Sequence, residues 1–167
     1  YYGTDQFSIL FGHGGALSVA QVASATPGGS PNRLRVTVTT ADASVAAGDY
    51  AYLTQKIEGL RAADLLFGTA SAKTTTLQFG VKAPAGTYCV VFTNDASNRS
   101  YVAEYVISGG EANTDVVKRV TIAGDTSGTW LKDSSGSGLS VRWGLMAGST
   151  YQKTANSWGT GNVLGSA

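Results

Sequence analysis

With 167 residues the chain is long enough to bury a full hydrophobic core without disulfides and too short for two comfortable domains. Hydrophobic residues make up 43% of it and charged ones only 14%, which excludes a disordered segment, and a net charge of +1 gives no electrostatic case for binding nucleic acid or an anionic membrane. A single cysteine excludes an intrachain disulfide, a single histidine leaves no set of nitrogen and sulfur ligands for a metal, and no run approaches the ~18 apolar residues of a membrane span.

Read from its N-terminal end, the chain offers Phe7–Phe11 (FSILF) as a short apolar run closed by Gly12-His13-Gly14-Gly15. Leu17–Ala23 alternates weakly, and Thr26–Asn32 (TPGGSPN) is turn chemistry throughout. Leu34–Thr39 alternates cleanly, with Leu34, Val36 and Val38 inward and Arg35, Thr37 and Thr39 outward. In Tyr50–Ile57 one strand face carries Ala51, Leu53, Gln55 and Ile57 and the other carries Tyr50, Tyr52, Thr54 and Lys56. Leu60–Phe67 is the only segment with helical spacing and reads as a loop with at most a short helix.

Lys73–Ile107 then reads as three strands and two turns. Thr75–Val81 is half-buried, with Leu77, Phe79 and Val81 on one face. Tyr88–Thr93 (YCVVFT) is apolar on both faces, which suits a central strand covered above and below; Cys89 is a small buried hydrophobe within it. Tyr101–Ile107 alternates again after the polar loop Asn94–Ser100. Asp115–Ile122 is a further strand, Gly124–Trp130 a turn with an aromatic end, and Lys132–Gly138 an exposed loop. Leu139–Leu145 sets Leu139, Val141, Trp143 and Leu145 against Ser140, Arg142 and Gly144. Ala147–Ala167 is rich in Gly, Ser, Thr and Asn, with Tyr151 and Trp158 spaced through it.

About nine short strands with frequent turns and no βαβ alternation predict an all-β fold, a two-sheet antiparallel β-sandwich of jelly-roll topology. Residues 1–167 form one domain, with Leu77, Phe79, Val90, Phe92, Val141, Trp143 and Leu145 in the core. Immunoglobulin topology is the alternative, but its Cys-Trp-Cys spacing is absent.

Catalytic patterns are sparse. His13 among glycines has the look of an esterase oxyanion loop, but the nucleophile elbow G-x-S-x-G is absent. Gly124-Asp125-Thr126-Ser127-Gly128 resembles a serine-protease motif with one insertion, and its only histidine lies on a remote loop. Glu58 and Glu104 are the carboxylates that a glycosidase pair would need; each serves as well as a partner for arginine or backbone amides. Isolated aromatics beside amides are the sharper signal, because a ring covers the apolar face of a pyranose while Asn and Arg bond its hydroxyls. Asn98 and Arg99 beside Tyr101, together with Tyr151 and Trp158, are therefore the glycan-binding candidates. Their plainer role is packing in the second sheet or between subunits.

Several segments, in order and spacing, resemble a domain of bacteriophage tail fibre proteins. They are Gln55-Lys56-Ile57-Glu58-Gly59, Asp64-Leu65, Phe67-Gly68-Thr69-Ala70, Ala72–Phe79, Asn98–Tyr101 and Val120–Trp130, and the resemblance covers about residues 50 to 160. Such domains are similar to carbohydrate-binding-module jelly rolls. The resemblance implies a virion structural protein and no enzyme, an extracellular fibre module that is a homotrimer, part of a longer fibre chain, with other fibre or tail proteins and host-surface glycan as partners. It implies no cofactor. The alternative within that class is a non-binding spacer or a capsid-decorating protein.

Overall fold

The computed structural model describes residues 2–4, as backbone, and residues 7–167 with their side chains. Its strands are β1 (Tyr2–Thr4), β2 (Phe7–Gly12), β3 (Ala16–Ala23), β4 (Asn32–Thr40), β5 (Tyr50–Glu58), β6 (Thr75–Val81) and β7 (Gly86–Thr93). They continue with β8 (Arg99–Ile107), β9 (Val116–Ile122), β10 (Ser137–Ala147), β11 (Gln152–Lys153), β12 (Trp158–Thr160) and β13 (Gly165–Ser166). The helical spacing at Leu60–Phe67 yields one α turn, α1 (Gly59–Ala62), and a 3-10 turn (Ala63–Leu65) that ends at Leu66 in the left-handed region, φ 55°. Leu60 points to solvent, while Ala62 and Phe67 enter the core. Among the described residues no helix is long and apolar enough to cross a membrane.

One antiparallel sheet dominates, with strand order β1-β2-β5-β10-β7-β8-β12. The pair β6–β9 packs across the core from the large sheet, and β3–β4 is a separate two-stranded ribbon, so the chain leaves or re-enters the large sheet after β2, β4, β5, β6, β8 and β9, as expected of an antiparallel β-sandwich of jelly-roll type. Between the layers lie Val90 and Phe92 of β7, Tyr101 and Ala103 of β8, Leu139 and Val141 of β10 and Val120 and Ile122 of β9. Phe67 and Trp130 meet edge to face at 4.9 Å at one end of this core. Leu77, Phe79 and Trp143 pack against it half-buried.

Two inward assignments are corrected. Leu145 is 47% exposed, because β10 carries a bulge: Gly144 pairs with Tyr52 and Met146 with Ala51, so Leu145 is the extra residue and the alternation is broken there. Val38 is 63% exposed, because the β3–β4 ribbon contributes no fully buried residue among those described and its apolar face is at best half covered. The Arg33–Asp115 ion pair, 2.6 Å, ties that ribbon to the start of β9.

β7 is buried on both faces, as its double-sided apolar run predicts. Its outer side chains, Cys89 and Val91, join Val102 of β8 in a second cluster, covered by Val163 of the C-terminal segment. That segment is pinned by the short parallel pair β11–β13 and by β12 on the edge of β8. Gly144 permits the close approach: a Cβ there would stand 2.5 Å from the Leu164 carbonyl oxygen and 2.9 Å from the Cys89 sulfur.

Candidate functional site

The C-terminal segment covers β7, β8 and the Gly144 end of β10 on the outer sheet face. Over β2, β5 and β10 the same face forms the floor of a groove of about 730 Å³. Mostly even-numbered residues of these strands line it: Ser8 and Leu10 from β2, Tyr52, Thr54, Lys56 and Glu58 from β5, and Arg142 from β10, with Gln55 and Ile57 of β5 also contributing. Strand register sets the rows, Ser8 opposite Thr54 and Thr54 opposite Arg142, with Leu10 opposite Tyr52 one step along. Arg61, at the end of α1, closes one end, and its guanidinium lies 3.7 Å from Glu58.

Arg142 is the organising side chain. It is buried, and its two terminal nitrogens donate to Asn162 Oδ1 and Ser97 Oγ, both at 2.7 Å. Its guanidinium carbon stands 5.3 Å from the centroid of the Tyr52 ring, a cation–π arrangement. No described carboxylate pairs with it. Burial pulls its pKa below the usual arginine value, and the neighbouring Tyr52 pulls it back. Burial likewise pushes the Tyr52 phenol up, against the attraction of Arg142. Two shielded polar atoms of this floor, Arg142 Nε and Thr54 Oγ1, have no hydrogen-bond partner among the described residues. An aromatic row leads away from it: Tyr52 lies 6.0 Å from Tyr50, which meets Tyr151 edge to face at 5.6 Å.

Of the five sequence candidates, Tyr151 lies in that aromatic row, half-buried. The other four take part in packing and turn structure. Arg99 binds Asp125 through two donors, at 2.8 and 2.7 Å, and Gly128 (φ 83°) lies against it so closely that a Cβ would come within 2.6 Å of its side chain. The carboxylate raises the Arg99 pKa. Asn98 accepts from Asn94 Nδ2 at 2.7 Å, and Asn94, itself buried, also receives the backbone N–H groups of Asn98 and Arg99. Tyr101 is buried, and Trp158 sits half-buried against Phe67, Tyr101 and Trp130, donating its indole N–H to the Ala123 carbonyl at 2.7 Å. The sequence candidates omitted Tyr52, Thr54 and Arg142. The available signal was Tyr50 and Tyr52 sharing one face with Thr54, facing an arginine on another strand.

The remaining titratable groups are dispersed. Glu58 ends β5 and Glu104 is exposed on β8; those strands stand three positions apart, about 14 Å, wider than a glycosidase pair. His13 Nδ1 accepts the Gly15 N–H at 2.9 Å and lies 3.9 Å from Asp42. Backbone N–H groups of Ser44 and Gly14 hold the Asp42 carboxyl below its usual range. Asp125 of the protease-like motif is occupied by Arg99 and by the Ser127 N–H. Among the described residues no three His, Cys, Asp or Glu side chains gather where they could hold a metal.

No protein-family model matches the chain, and no curated relative matches it in sequence. Its fold is similar to part of the enzymatically active domain of tailspike protein 4 of bacteriophage CBA120, with a TM-score of 0.54 at 13% identity over 95% of this chain and 19% of that one. The chain thus spans about a fifth of that polypeptide. A second solved structure, the family 11 carbohydrate-binding module of the cellulosomal cellulase Lic26A-Cel5E of Clostridium thermocellum, aligns at a TM-score of 0.49 and 13% identity, over 95% of this chain and 84% of that module.

Proposed function

We propose that the chain is a glycan-binding module carried extracellularly on a bacteriophage virion, in a tail fibre or spike, and that it attaches to host-surface carbohydrate through the groove on β2, β5 and β10. The observation that carries this reading is the composition of the groove floor. Leu10 supplies an exposed apolar surface, Ser8 and Thr54 supply hydroxyls, and Arg142 supplies a donor held by Ser97, Asn162 and the Tyr52 ring. These are the apolar face and polar partners that a pyranose requires, and they stand on strands of the sheet, which hold geometry better than loops do. The phage assignment draws on the resemblance of residues 50–160 to fibre domains and on the similarity of fold to part of a phage tailspike.

In this reading the module has no hydrolase activity of its own and works as a homotrimer alongside other fibre or tail proteins. A single groove of this openness binds weakly, and several copies on one virion raise avidity by about 10²–10⁴ without any new contact. The second reading, a non-binding spacer or a capsid-decorating protein, draws on the engagement of Asn98, Arg99, Tyr101 and Trp158 in packing and turns. The test uses Ser8→Trp, which fills the groove from a half-buried position without emptying the core. Glycan-array binding and virion adsorption should fall at least about tenfold while the thermal midpoint holds. Undiminished adsorption would favour the spacer. Sedimentation of the purified module checks the trimer.

A further inference from the structure

This inference rests on the glycan reading of the groove and narrows its ligand. We infer that the groove selects an acidic sugar, one that bears a carboxylate, and that Arg142 is the group that receives it.

The molecule provides its own comparison. Arg33 and Arg99 are half-buried, and each is held by both oxygens of one aspartate, Asp115 and Asp125. Arg142 is more deeply buried than either and has only neutral partners, the Ser97 hydroxyl and the Asn162 carbonyl. A buried guanidinium is ordinarily paired, because desolvating a charge is costly unless an opposite charge offsets it. Here the offset comes with the ligand.

The surroundings agree. Lys56, Arg61 and Arg142 line the groove against one carboxylate, Glu58, and Arg61 already lies 3.7 Å from that carboxylate. A chain whose net charge is +1 therefore gathers a local excess of positive charge at the groove. Thr54 faces Arg142 across the β5–β10 ladder, and its hydroxyl and Arg142 Nε are the two shielded atoms there without partners. A carboxylate accepts from both a guanidinium and a hydroxyl through its two oxygens and brings the charge that offsets the buried guanidinium, whereas a neutral hydroxymethyl group can reach the same atoms only with weaker, uncharged hydrogen bonds. Tyr52 under the guanidinium holds its plane and keeps Arg142 from turning toward bulk water.

The experiment is a glycan array of oligosaccharides carrying uronic or sialic acids, each printed beside its carboxyl-reduced counterpart and alongside sulfated and neutral oligosaccharides, probed with the whole chain. The acidic member of at least one pair should bind about ten- to a hundredfold more tightly than its reduced partner, the worth of a charge-assisted hydrogen bond. Added salt should erode that preference. Arg142→Gln should bring the pair to equal affinity. Because Arg142 also braces Ser97 and Asn162, Lys56→Gln at the exposed groove edge is the companion variant, and it should narrow the ratio without changing the thermal midpoint. Equal binding of acidic and reduced members overturns this inference and leaves the glycan reading standing, and a preference confined to sulfate esters likewise overturns the carboxylate assignment. Binding to no oligosaccharide on the array, acidic, sulfated or neutral, overturns the glycan reading itself.

Discussion

Cys89 and Glu111 show how far single side chains depend on their neighbours. The Cys89 thiol lies 3.7 Å from the Leu164 carbonyl under the C-terminal segment, and burial pushes its pKa up. The thiolate is the reactive form, so a thiol reagent should label the native protein only at the rate at which residues 152–167 lift away. Labelling as fast as in denaturant would show that the segment does not cover the sheet. Glu111 accepts hydrogen bonds from Lys118, from the Ser108 N–H and from the Ser108 hydroxyl, which together lower its pKa to about 2. A depressed carboxyl pKa stabilises the fold above the unfolded value of 4.5, and the contribution is lost as pH falls through about 2. Glu111→Gln should thus lower the thermal midpoint at neutral pH, and the gap from the parent protein should close in acid. A gap independent of pH would assign the effect to packing.

At the scale of elements, β7 carries the most. Phe92 is 1% exposed at the centre of the sandwich, and Phe92→Ala should cost about 3–5 kcal/mol by emptying a large core site. Denaturant titration checks it, and a loss under about 1 kcal/mol would place the ring elsewhere. Strands such as β5, β6, β7 and β10 were legible because each has one apolar face or two. The bulge at Leu145 was not, since it arises where β10 fits β5 and no local residue marks it. The C-terminal segment was not either: β11 and β13 have two residues each and are held by distant backbone partners, with Val163 and Leu164 their main apolar anchors. The groove was hidden for a different reason. Tyr52, Thr54, Lys56 and Arg142 occupy the polar side of alternating strands, and a ligand-facing side has the same period-two signature as a solvent-facing one. Trp158 and Tyr101 misled in the opposite direction, because a Gly- and Ser-rich setting reads as surface even where aromatic rings close over one another.

For the molecule as a whole, the outer face of the large sheet is divided between an apolar half under its own C-terminal segment and a polar half left as the groove. Stability and recognition therefore draw on different halves, and groove variants such as Ser8→Trp should alter binding more than the thermal midpoint. Joint loss of both would mean that the halves are one cooperative unit. The strand order has a consequence for how the chain is made. β10 hydrogen-bonds between β5 and β7 yet follows both in sequence. During synthesis the ribosome releases β5, β7 and β8 before the strand that joins them exists. Until residue 147 emerges, the two-sided apolar run of β7 presents an unpaired edge to every other nascent chain. A chain ending at Gly136 should accordingly lack a cooperative thermal transition and aggregate on release, whereas a soluble product with a sharp transition would mean that β7 and β8 find a substitute partner.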